Sequence, residues 1–150
     1  MITFTTETVQ TVKDNIHLVE EHWEEIVLDK EKRPLDPWWE WFEKVEQDGT
    51  LITFVARDEN EVLGYAVFIL HPHLHSRNLR IAVNDAVFLR KSNRAMGAGR
   101  QFLKYCDEEL EKMGVQMINW HVKPIRDFGP ALESMGYVMH EKIYIRYAGD

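Results

Sequence analysis

The sequence predicts an α/β chain of the mixed α+β kind, a mixed sheet with helices covering its faces. Three observations predict it. Several short runs are apolar and rich in β-branched residues. Two longer segments place apolar residues every three or four positions. The two kinds of segment interleave along the chain, with polar, Gly- or Pro-bearing connections between them. A length of 150 residues, 45% of them hydrophobic and 29% charged, suits one domain over residues 1–150 with a single core.

The elements follow in order. Between Thr11 and Leu28, apolar Val12, Ile16, Val19, Trp23, Ile26 and Val27 make one face of an amphipathic helix. The connection DKEKRPLDP is polar, and Pro34 and Pro37 interrupt helical hydrogen bonding. Asp36-Pro37 reads as an N-cap and first helical position for a short aromatic helix, PWWEWFEKVEQ, ending near Asp48-Gly49. LITFVAR (51–57) and VLGYAVFIL (62–70) read as a hairpin closed by a turn at DENE, and HPHLHSRN is a loop. RIAVNDAVFL (80–89) is a third long strand, followed by the polar turn KSNRAMGAGR. Leu103, Cys106, Leu110 and Met113 define a second amphipathic helix, stopped by Gly114. VQMINWHV (115–122) is a strand. Residues 125–135 are a short helix broken at Gly129-Pro130, with a Schellman-type stop at Gly136. YVMHEKIYIRY (137–147) is a last strand.

Composition excludes several classes. Five Trp, seven Phe and five Tyr are too many aromatics for a disordered chain. No apolar run approaches the roughly 20 residues of a membrane-spanning helix. MITFTTETVQ lacks the basic start and apolar middle of a signal peptide, so a soluble, cytoplasmic protein with no membrane partner is expected. A single cysteine, Cys106, excludes an internal disulfide and a multi-cysteine metal site. The net charge of −7 argues against a nucleic-acid partner, because phosphate binding needs a basic face. The charge is also uneven. Residues 1–50 carry 13 acidic and 5 basic side chains, whereas residues 76–105 carry seven basic ones against Asp85 alone. One region suits a cation and the other an anion, and both also suit plain solvated faces.

The strongest chemical signal is a strand, then Arg94-Ala95-Met96-Gly97-Ala98-Gly99, then a helix. Glycines allow close backbone approach to a phosphate. Free amides at a helix start point at it, and Arg94 and Arg100 add charge. The pattern is neither a Walker loop nor a dinucleotide fingerprint. It resembles motif A of the GNAT superfamily of N-acetyltransferases, [RQ]xxGx[GA], with Arg94, Gly97 and Gly99 in the three fixed positions. The order of elements agrees over most of the chain, down to the later Gly136-Tyr137. GYAVFILHPHLH, DAVFLRKSNRAMGAGRQFL and ESMGYVMHEKIYIRY are similar to bacteriophage-encoded members, for which the location would be the host cytoplasm.

The resemblance implies a mostly antiparallel sheet whose fourth and fifth strands splay, with acetyl-CoA as cofactor. Its diphosphate would lie on the amides of Met96, Gly97, Ala98, Gly99 and Arg100, with Arg94 and Ala95 beside it. The pantetheine arm would run along Val87, Phe88 and Leu89, and Phe128 would line the arm or sit in the core. The implied reaction is direct acetyl transfer to an amine.

Asp85 is the first candidate base. Strict alternation puts it on one face with Ile81, Val83, Val87 and Leu89, where an isolated carboxylate has a raised pKa. The alternative is a structural pair with Arg77, Arg80 or Arg90. His75, last of the alternating His71, His73 and His75, is a second proton carrier or an exposed loop histidine. Pro72 and the lack of a thiol or carboxylate argue against a metal there. The family's usual tyrosine acid falls on Leu132, which leaves water or Tyr144 to protonate the thiolate. In this superfamily the first helices wall the acceptor site. Trp38, Trp39 and Trp41 in this acidic region suggest a cationic amine, namely a peptide N-terminus, a lysine or a polyamine. The same tryptophans also suit a helix core. A module of this shape that binds CoA or a protein without chemistry is the alternative function, and a homodimer stays open.

Overall fold

The computed structural model describes residues 1–150. Its sheet has five strands in the order β1 (Ile2–Glu7), β2 (Leu51–Asp58), β3 (Glu61–His73), β4 (Ser76–Leu89) and β5 (Met117–Asn119). The first four pair antiparallel, and β5 runs parallel to β4. The helices are α1 (Val9–Asp14), α2 (Ile16–Ile26), α3 (Trp39–Gln47), α4 (Ala98–Lys112) and α5 (Gly129–Ser134). No helix is long and apolar enough to cross a membrane.

Two cores sandwich the sheet. On one side α4 drives Phe102, Cys106 and Leu110 against Phe54, Ala66, Phe68 and Ala82. On the other, Val9, Val12 and Leu18 from α1 and α2 meet Val55, Tyr65, Val67 and Phe88. Phe54, Phe68 and Phe102 are fully buried, each contributing roughly 1.5–3 kcal/mol by removal from water. Glu7 and Arg57 fasten β1 to β2 through two bonds of 2.7 and 2.6 Å.

Several expectations are met. The hairpin, the long strand, the second amphipathic helix and the short terminal helix form. Gly49, Gly114 and Gly136 end their helices with positive φ, and at Gly136 the Tyr137 amide donates to the Leu132 carbonyl as a Schellman stop requires.

Others need correction. β1 forms from a segment the pattern reading passes over, although Ile2 and Phe4 alternate with threonines as in a half-buried strand. The helix expected over 11–28 breaks at Asn15, which leaves helical geometry and turns its side-chain amide back to the Thr11 carbonyl. The aromatic helix begins at Trp39, so Asp36-Pro37 is not its cap. HPHLHSRN is mostly strand with a turn at Leu74-His75. β5 is shorter than the expected 115–122, because its neighbour diverges. Residues 137–147 form no strand and are largely exposed, so the outer edge of β5 stays unpaired.

Candidate active site

The site arises where β4 and β5 part. Their pairing covers only three residues and ends at Val83 opposite Asn119. Beyond that point a side chain replaces the backbone ladder. Asn84 donates from Nδ2 to the His121 carbonyl (3.2 Å), and its Oδ1 accepts from the His121 amide (2.5 Å). Past this wedge, β4 from Ala86 to Leu89 pairs with β3 alone.

Asp85 lies at this divergence and owes its orientation to a bulge. Phe68 pairs with Asn84 and Val67 with Ala86, so Asp85 is the extra residue. The extra residue flips the alternation after it. Val87 and Leu89 join the α4 core, while Ala86 and Phe88 face α1 and α2. The single face expected for Asp85, Val87 and Leu89 is therefore incorrect, since a one-residue insertion reverses every later side chain. The carboxylate belongs instead to the side of Tyr65, whose pKa it helps to raise.

Asp85 makes no hydrogen bond or ion pair, because the three arginines considered for it are elsewhere. Arg90 pairs with Glu21 and Glu61, Arg80 donates to the Met113 carbonyl, and Arg77 lies near the hairpin tip. The carboxylate is open to solvent at the surface, yet the protein around it desolvates the charged form and raises its pKa above 3.8.

Two further polar groups stand behind it. The Tyr65 hydroxyl, on a residue only 3% exposed, shares a 2.8 Å hydrogen bond with Nδ1 of His22. Burial lowers the His22 pKa to about 4, so the ring is neutral at physiological pH. Burial, then the Asp85 charge, raises that of Tyr65, so the hydroxyl keeps its proton. The His22 ring also leans on Phe88, with centroids 5.1 Å apart. Neither residue was singled out from sequence. The only signal was a polar group inside an apolar pattern, which does not by itself say that the two meet.

The glycine-bearing turn takes the shape its residues demand. Two short 3-10 turns, Lys91–Asn93 and Ala95–Gly97, lead into α4. Met96 (φ 58°) and Gly97 (φ 78°) are left-handed. A Cβ added at Gly97 or Gly99 would meet nothing within 4 Å, so no packing demand of the protein requires either glycine to be small. This open face at the start of a 15-residue helix fits a diphosphate. Arg94 is engaged elsewhere. Its guanidinium forms a fork with Glu25 (2.8 and 2.7 Å), and its Nε donates to the Leu89 carbonyl (2.6 Å), tying α2 to the end of β4. Arg100 donates to Ser134 (3.2 Å).

The remaining candidates scatter. His75 sits at the hairpin tip with its amide on Nδ1 of His73, roughly 30 Å along the strand from Asp85 at about 3.3 Å per residue. That corrects its role as a proton carrier for the site. Tyr144 is 87% exposed in the unpaired terminal segment, with no hydrogen bond, which corrects its candidacy as the acid. Trp39 packs into the α1–α2 core beside Phe42, while Trp38 and Trp41 stack on each other in solvent with centroids 5.4 Å apart. Phe128 packs edge-on against Trp120 at the start of α5. No group of three or more His, Cys, Asp or Glu gathers as metal ligands. An open hollow of about 310 Å³ bounded by Thr50, Pro72, Arg77 and Arg80 lies at the hairpin end of the sheet, away from this chemistry.

Comparison with known proteins agrees with this geometry. The model of the acetyltransferase (GNAT) family matches residues 15–127. The ribosomal-protein-alanine N-acetyltransferase of Brucella melitensis biovar Abortus 2308 superposes with a TM-score of 0.73 at 14% identity, covering 99% of this chain and 100% of that one. An aminoglycoside acetyltransferase from an uncultured soil metagenomic sample gives 0.76 at 12% identity, covering 100% and 99%. A predicted acetyltransferase of Clostridium acetobutylicum, solved with acetyl-CoA, gives 0.70 at 12% identity, covering 98% and 96%. These likenesses are of fold. No curated protein matches the sequence.

Proposed function

We propose that this chain, which belongs to the acetyltransferase (GNAT) family, is a cytoplasmic single-domain N-acetyltransferase that moves an acetyl group from acetyl-CoA directly to a primary amine. The observation that carries the reading is an unpaired carboxylate, Asp85, in a bulge where β4 leaves β5, close in sequence to an open glycine turn. Acetyl-CoA, when bound, supplies the activated acetyl carbonyl. The amides of Met96 to Arg100 would hold its diphosphate, and the free edge of β4 at Val87 to Leu89 would hold its arm. Phe128 would flank that arm. Asp85 takes the proton that an ammonium acceptor must lose before it can attack, and its raised pKa makes it a stronger base than an ordinary carboxylate. Tyr65 and His22 are both neutral at physiological pH and back that carboxylate without adding a charge. With Leu132 at the usual acid position, water protonates the departing thiolate.

The acceptor is a cationic amine on a small molecule or peptide. The support is the acidic first third of the chain and the stacked, solvent-facing indoles of Trp38 and Trp41, both of which attract ammonium groups. The test pairs calorimetric titration of acetyl-CoA with CoA release over amines, amino acids and peptides. Wild type should bind and turn over basic amines. Asp85→Asn should bind and barely turn over, and Gly97→Val should bind weakly. Tight binding with no turnover of any amine would replace this reading with that of a CoA-binding module.

A further inference from the structure

Lys123 stands apart among the lysines. It is the one that is both partly buried and without a hydrogen bond or ion pair. Lys91 and Lys142 also lack partners, but both are exposed in solvent. An unpaired ammonium on a partly buried lysine is costly and needs a reason.

Its place supplies one. Two residues earlier, His121 is bound through its backbone to Asn84, the neighbour of Asp85. Three residues later, Arg126 bonds Glu25 of α2 at 2.8 Å, and the turn Pro124–Arg126 packs on that helix. Lys123 is thus held between the β4 wedge and α2. Its charge is felt by His22, the partner of Tyr65. Burial, then Arg33, lowers the lysine's own pKa, while Asp29 raises it. The net lowering enlarges the fraction of free amine.

Resting on the acetyl-CoA reading above, we propose that Lys123 is a self-acetylation site, the amine of this chain that the cleft presents to its own thioester. The free Nζ forms a bond to the acetyl carbon and the carbon–sulfur bond breaks. The proton lost by nitrogen passes through Asp85 or water, and CoA leaves as the thiol. The product is one amide and one CoA per chain, with no other reactant.

The experiment incubates the intact protein with acetyl-CoA and maps acetylated lysines by mass spectrometry over time. A range of protein concentrations is used, with a basic amine acceptor assayed in parallel. Lys123 should gain one acetyl group before Lys91 or Lys142, at a rate per molecule independent of protein concentration. Lys123→Arg should remove that modification while still binding acetyl-CoA. Modification of Lys123 no faster than of the two exposed lysines would mean solution chemistry and overturn the proposal, as would a rate that climbs with protein concentration. Transfer to the added amine with Lys123 unmodified would overturn self-acetylation alone. Coenzyme binding with neither the amine nor Lys123 acetylated would overturn the transferase reading as well.

Discussion

The two faces of the sheet are built on different terms. The α4 face is apolar at its centre, with Phe54, Phe68, Phe102, Cys106 and Leu110 packed with almost no exposed surface. The α1–α2 face has the same kind of aliphatic lining but admits Tyr65 and His22 as a bonded pair, with Asp85 beside them. One strand serves both, and a single extra residue in β4 decides which side chain goes where. The lesson is that one side can be closely packed with apolar groups while the other admits polar groups at an energetic cost, which marks it as the place to look for chemistry.

That contrast can be broken in four places. The largest expected effect is on Asp85→Asn, where loss of the base should slow acetyl transfer by roughly 10²–10⁴-fold with unfolding little changed. Steady-state CoA release and denaturant unfolding on the same preparation check it. An equal loss of stability would mean that Asp85 is structural.

Phe102→Ala should do the reverse, lowering stability by about 3–5 kcal/mol because the fully buried ring leaves a cavity. Transfer at low temperature, where the variant still folds, should survive.

A smaller effect concerns pH. His22 has a folded pKa of about 4 against 6.5 when free, so the unfolded chain binds the extra proton first. The His22 contribution to stability should therefore be full above pH 6.5 and fall as pH drops from 6.5 through about 4, by about 3 kcal/mol. In His22→Gln that acid-side slope should flatten in urea titrations, and an unchanged slope would mean the ring is not desolvated. The rate limb set by Asp85 runs in the same sense. Transfer rises with pH as the carboxylate loses its proton, at a pKa above 3.8.

The smallest change is in Trp38→Ala with Trp41→Ala. Both rings face solvent, so stability should move by no more than about 1 kcal/mol. KM for a cationic acceptor should rise while kcat holds. A KM unmoved for every basic amine would detach these indoles from acceptor binding.

Much of this was legible in the residues. Periodicity located α4, the hairpin and the long strand, because a buried face must repeat at the helical or strand period. Glycine chemistry located the turn before α4, since few residues other than glycine adopt the left-handed backbone found at Gly97. Asp85 was visible as a charge within an apolar strand, but its face was not, because a bulge leaves no mark in hydrophobic pattern. His75 failed for a related reason. Alternation placed it on a strand leading toward the site but not at the far end of a hairpin that extends well beyond the apolar core.

By itself, then, the sequence determined α4, the hairpin and the long strand, the glycine-bearing turn before α4 and the identity of the candidate base. These depend on interactions among near neighbours, which a linear pattern records. Tertiary structure alone decided that Asn84 would hold β4 and β5 apart, that His22 would meet Tyr65 across 43 positions, and that Lys123 would be left without a partner. Such pairings depend on which surfaces the folded chain brings together, and no local propensity encodes them.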